Sequence, residues 1–173
     1  MMRRSLFGLL AILLFSIANA ADATEIVALG ASNTYGMGVE RNEAYPAQLQ
    51  RLLRARGIQA NVANAGVNGS TTAQMLARFD AAVPAGTDLV LLQPGTNDAD
   101  FCVEDQTQGN VAAMEARLSA KGAKLIIVPN ALLAAIRSAS PKYDHGDGVH
   151  LTADGYAELA ARLLPEVLAA IGK

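Results

Sequence analysis

Two histidines, His145 and His150, are all the sequence contains, and both fall within the stretch YDHGDGVHLTADGY. Imidazole takes up and returns a proton near neutral pH, so a hydroxyl nucleophile in this chain must be activated from here. Asp147 precedes His150 by three residues. In a tight turn that spacing lets the carboxylate accept from one ring nitrogen while the other faces outward. An acid so placed holds the tautomer and stabilises the imidazolium formed during attack. The matching hydroxyl is Ser32, in EIVALGASNTYGMG, where an apolar run stops at Gly30. Attack on a carbonyl also needs N–H donors for the oxyanion. The candidates are the Ser32 backbone N–H, the Gly69 N–H in NAGVNGSTT and the Asn97 side-chain amide in PGTND.

Three distant segments must share one place for that chemistry to occur, and the apolar pattern says how. Residues 25–30, 58–66, 88–95 and 123–130 each read as a strand closed by Gly, Pro or Asn. The third and fourth are apolar on both faces, as in a parallel sheet covered by helices on both sides. Between them the pattern predicts helices over about 43–56, 72–83 and 107–121, with Gly57 and Gly122 as terminators. A last helix starts after Thr152, its N-cap, with a kink expected at Pro165. Strands alternating with helices give an α/β fold, here a small three-layer, flavodoxin-like sheet of four strands in order 2-1-3-4. Ligands in such folds bind outside the carboxyl ends of the strands, at the switch point between strands one and three. Ser32 follows strand one, Gly69 follows strand two and Asn97 follows strand three. A final helix antiparallel to the strands brings Asp147 and His150 to the same edge.

Taken together, Ser32 in GASNT, Gly69 in NAGVNGSTT, Asn97 in GTND, and Asp147 with His150 in DGVHL resemble the four blocks of the SGNH (GDSL-type) hydrolases. The blocks occur in family order, and the chain is most similar to small exported esterases of the lysophospholipase, thioesterase and arylesterase type. AYPAQLQRLLRARG also resembles the helix after the first block. The resemblance implies Ser32 as nucleophile, His150 as base and Asp147 as its orienter, with Ser32, Gly69 and Asn97 forming the oxyanion hole. It implies a small-molecule or lipid ester or thioester as substrate, an acyl-enzyme, and no metal or organic cofactor. Two departures stand out. Ala31 occupies the place where the family usually has Asp. Only residues 131–146 separate strand four from Asp147, where relatives commonly fit another helix and strand. A shortened wall to the acyl pocket is the expectation, and with it a preference for short acyl chains.

Other readings of the same residues are weaker. His145, Asp147 and His150 suit zinc by ligand type, but no further ligand is evident. His145 reads as a solvated loop residue, and Cys102, with no histidine placed for it, as a free thiol. Tyr35, Met37 and Val39 are candidates for the acyl pocket or for ordinary packing. A carbohydrate O-acetyl esterase and a non-catalytic binding module of the same fold are the alternatives. Residues 1–20, with Arg3 and Arg4, an apolar run from Leu6 to Ile17, and Ala18 and Ala20, read as a signal peptide, leaving residues 21–173 as one domain. The apolar run is too short for a permanent membrane anchor, so a periplasmic or secreted location is expected. Removing residues 1–20 takes net charge from −2 to −4. An acidic chain without tryptophan or basic clusters has no footprint for nucleic acid. With one cysteine there is no internal disulfide, so stability rests on packing.

Overall fold

The computed structural model describes residues 23–173; the expected signal peptide, residues 1–20, lies outside them. In chain order the elements are β1 (Thr24–Gly30), α1 (Ser32–Tyr35), α2 (Tyr45–Arg54), β2 (Ala60–Gly66), α3 (Thr72–Ala77) and α4 (Phe79–Ala82). They continue with β3 (Leu89–Gln93), α5 (Asn97–Asp100), α6 (Thr107–Lys121), β4 (Lys124–Ile127), α7 (Asn130–Ala139) and α8 (Ala153–Ala170). Among the described residues the strands form one parallel sheet in the order β2-β1-β3-β4, as the sequence predicts.

Alternation along β1 divides the core into two layers. Ile26 and Ala28, with Leu89, Leu91 and Ile126, face Tyr45, Leu49 and Leu53 of α2 and Tyr156, Leu159 and Leu163 of α8. Val27 and Leu29, with Val90 and Leu92, face Met75, Phe79, Met114 and Leu118 from α3, α4 and α6. Each large side chain buried this way contributes about 1.5–3 kcal/mol. The register sets the position of the site. Gly30 stands opposite Gly66 on one side and Gln93 on the other, so three strands end at the same level.

Several boundaries differ from those the sequence predicts, each for a visible reason. The helix expected over 72–83 breaks at Arg78, whose backbone leaves helical geometry at φ −100° and ψ 8°. Its guanidinium reaches back to the carbonyl oxygens of Ala65 at 2.8 Å and Gly30 at 2.9 Å, clamping the ends of β2 and β1. Residues 131–146 do not form a shortened wall. They contain α7, which buries Leu133 and Ile136 one turn apart, followed by a 3₁₀ turn at Pro141–Tyr143. Thr152 caps α8 as predicted, accepting from the Gly155 N–H at 3.2 Å. The helix then runs unbroken through Pro165, which lies on its exposed face, where the carbonyl that proline strands meets water.

Close approach explains the glycine that ends β2. A Cβ on Gly66 would land on the backbone nitrogen of Tyr35, in the turn that begins at Ser32. Gly109, inside α6, has open space around it. Gly66→Ala is expected to lower stability by about 2–3 kcal/mol. Gly109→Ala should raise it by about 0.5–1 kcal/mol, both read by urea denaturation.

Candidate functional site

Ser32 is the first residue of α1, a single turn closed by Gly36 in the left-handed conformation at φ 88°. The strand ends and the turn begins with only Ala31 between, so the hydroxyl stands at the sheet's edge. His150 arrives from the loop before α8, and its Nε2 lies 2.8 Å from Ser32 Oγ. Its Nδ1 lies 2.6 Å from Asp147 Oδ2. With Nδ1–H donated to the carboxylate, Nε2 is left to accept the serine proton.

The loop is built around Asp147. Its Oδ1 accepts from the backbone N–H of His150 at 2.8 Å and of Val149 at 2.9 Å. The His150 backbone N–H contributes most to holding this carboxyl well below its usual range; against a smaller opposing effect of burial, the His150 ring, the Val149 N–H and the imidazole charge add to it. Asp147 is thus an anion across the physiological range. His145 stands at the rim of the same turn, its Nδ1 3.6 Å from Asp147 Oδ2, with the ring 40% exposed. Its other ring edge packs against Gly38.

A cleft of about 520 Å³ opens beside Ser32 and His150. Asn97 lines it, as do Gln93, Gly95, Asp100, Asn130 and the Ala131, Ala134 and Arg137 side of α7. Asn97 Nδ2 donates to the Ser70 carbonyl at 3.0 Å, which fixes the amide and leaves its second proton for the cleft. Gly69 sits one residue before that carbonyl, at φ +71°, outside the residues that line the cleft. The structure therefore gathers Ser32, Asp147, His150 and Asn97, and places Gly69 in the adjoining turn. Tyr35 and Met37 are exposed, and Val39 packs on the core; none of the three lines the cleft. Cys102 is exposed, in the turn after α5, and does not line the cleft.

Four supporting residues escaped the sequence reading. Asn33 donates to the Val149 carbonyl at 3.4 Å and accepts from the Tyr156 hydroxyl at 3.2 Å, joining the serine turn to the histidine loop. Gln93 donates to Asn130 at 2.8 Å, and Asn130 donates to the Gly95 carbonyl at 2.7 Å, tying β3 to α7 under the cleft. Asp98, beside Asn97, is only 4% exposed. It accepts from the Thr72 backbone N–H at 2.7 Å, from the Thr72 hydroxyl, and from the Thr107 hydroxyl at 2.5 Å. Burial acts to raise its pKa, but the Thr107 and Thr72 hydroxyls and the Thr72 N–H together hold it below the ordinary value. Asp98 carries no signal of its own in the sequence, because its partner Thr72 lies 26 positions away, beyond β3. Ala31 is 2% exposed and packs against Gly95, filling with a methyl group the place where the family pattern has a carboxylate.

The parallel sheet with helices on both faces and the site at its carboxyl edge define the class. Residues 28–141 match the model of the GDSL-like lipase/acylhydrolase family, a span that ends before Asp147 and His150. The chain belongs to this family. It is 32% identical to esterase TesA of Pseudomonas aeruginosa over 128 residues, covering 71% of this chain and 61% of that protein. The crystal structure of a TesA superposes with a TM-score of 0.72 at 23% identity, covering 85% of this chain and 99% of the other. AlinE4, an SGNH-hydrolase family esterase, matches with a TM-score of 0.59 at 26% identity, covering 87% and 97%.

Asp98 gives a stability test. Its native pKa lies below its unfolded one, so its contribution is complete above the ordinary carboxylate value of about 3.9 and is lost as pH falls through the native value. Asp98→Asn is expected to cost about 2 kcal/mol at pH 7 and less as the pH is lowered, measured by chemical denaturation across pH.

Proposed function

We propose that this protein is a serine esterase that hydrolyses carboxylic esters or thioesters through an acyl-enzyme. The observation that carries the reading is the continuous line from Asp147 Oδ2 to His150 Nδ1 at 2.6 Å and from His150 Nε2 to Ser32 Oγ at 2.8 Å. As Ser32 Oγ bonds to the carbonyl carbon, its proton passes to His150 Nε2, and Asp147 stabilises the imidazolium. The tetrahedral oxyanion is held by the Ser32 N–H, the Gly69 N–H and the Asn97 amide. His150 Nε2 then protonates the leaving alcohol or thiol as its bond to carbon breaks. Water, deprotonated by the same nitrogen, attacks the acyl-enzyme and frees the acid and Ser32. No step calls for a metal or cofactor.

The cleft of about 520 Å³ suits a small-molecule ester. Among the described residues no Phe, Tyr or Trp lines it to stack on a sugar, which disfavours a polysaccharide acetyl group as substrate. The fixed tautomer of His150 disfavours a purely binding role. Residues 1–20 are read as an export signal, on the basic start, the short apolar run and the small residues at Ala18 and Ala20.

Ser32→Ala and His150→Ala are each expected to lower kcat on p-nitrophenyl butyrate by about 10⁴-fold or more, with the far-UV spectrum unchanged. Asn97→Ala should cost about 10²–10³-fold in kcat. Undiminished turnover in His150→Ala would remove it from the mechanism.

A further inference from the structure

We infer that Arg137 forms an anion-binding subsite in the cleft, so that the preferred substrates are esters carrying a carboxylate or phosphate near the scissile bond. This rests on the reading of Ser32 and His150 as the hydrolytic pair.

Ala131, Ala134 and Arg137 recur every three residues along α7 and all line the cleft, so one helix face forms its wall. The two alanines keep that wall low, and the arginine ends it. Arg137 is half-buried as a residue, and its guanidinium donates from Nη1 to the Val149 carbonyl at 3.1 Å. Val149 adjoins His150, so the cation is held beside the reacting imidazole. No carboxylate of the described residues pairs with Arg137. One N–H is committed to the loop, and the remainder of a planar fork suited to carboxylate or phosphate is uncommitted.

Apart from His150, the cleft's other ionisable lining residue is Asp100, at the end of α5. Asp100 ends α5, whose Asp98 is bonded to the start of α3, whereas Arg137 lies on α7, whose Leu133 and Ile136 pack in the layer of α8. A carboxylate and a guanidinium carried by different elements give the cleft a direction. An anionic substrate group is repelled from the Asp100 side and drawn to the Arg137 side, which sets the ester's orientation over Ser32. A guanidinium rather than an ammonium favours planar, two-point recognition there.

The test compares matched esters on the full chain. Phenyl hemiadipate against phenyl hexanoate places the charge on the acyl side, and 3-carboxyphenyl butyrate against phenyl butyrate places it on the alcohol side. Arg137→Gln is expected to lower kcat/KM for one anionic member about tenfold more than for its neutral partner, chiefly through KM. Arg137→Lys should restore part of that discrimination. Which pair responds identifies the side of the ester that carries the charge. Equal losses on charged and neutral esters in both pairs would overturn the subsite and leave Arg137 as a tether of the histidine loop. NMR titration with 3-hydroxybenzoate reads binding without turnover, and the Arg137 guanidinium signals should shift. Their failure to shift, together with equal losses in both pairs, would also count against it. Failure of the wild type on all four esters, with those shifts present, would overturn the hydrolytic reading instead.

Discussion

One carboxylate organises this site. Asp147 accepts three N–H groups from its own four-residue turn: two from the backbone at 2.8 and 2.9 Å and one from the His150 ring at 2.6 Å. The backbone pair closes the loop and lowers the carboxyl pKa, so the group that orients the imidazole is also the group that shapes its segment. An anion with this many donors stays ionised whether its imidazole partner is neutral or charged. The position of that imidazole is thus decided locally, before any contact with Ser32 is considered.

The sheet then supplies the long-range part. Because β1, β2 and β3 end at one level, turns that start there meet across short distances. Two charges, the half-buried Arg78 and the buried Asp98, keep those turns in register. The Arg78 cation holds the carbonyls of Gly30 and Ala65, and burial lowers its pKa from the usual value. The Asp98 anion holds the start of α3 and the start of α6 to the loop that carries Asn97. Leaving either charge without its partners inside the fold would cost far more than losing an exposed ion pair. The loops that border the cleft are therefore tied down by charge-assisted hydrogen bonds.

What was legible in the sequence followed how local each feature is. The strand order and the edge carrying Ser32, Asn97 and His150 could be read because apolar runs and their Gly or Pro ends are local signals. Asp147 and His150 could be paired because three residues suffice for the turn. The supporting contacts could not be read this way. Thr72 meets Asp98 only after the β2–β3 connection, Asn33 meets Val149 across 116 positions, and Arg78 reads as an ordinary helix residue until the sheet ends come into view. The length of 131–146 argues against a helix there, and only the spacing of Leu133 and Ile136 signals the one at Asn130–Ala139. That helix supplies one wall of the cleft beside Ser32.

The decisive question is whether Ser32 is the activated nucleophile. Treatment of the folded chain with a fluorophosphonate, followed by peptide mass spectrometry, answers it in one step. A single adduct per chain on the peptide containing Ser32, lost in His150→Ala, is the outcome this account requires. An unmodified chain at neutral pH, or an adduct elsewhere, would contradict it.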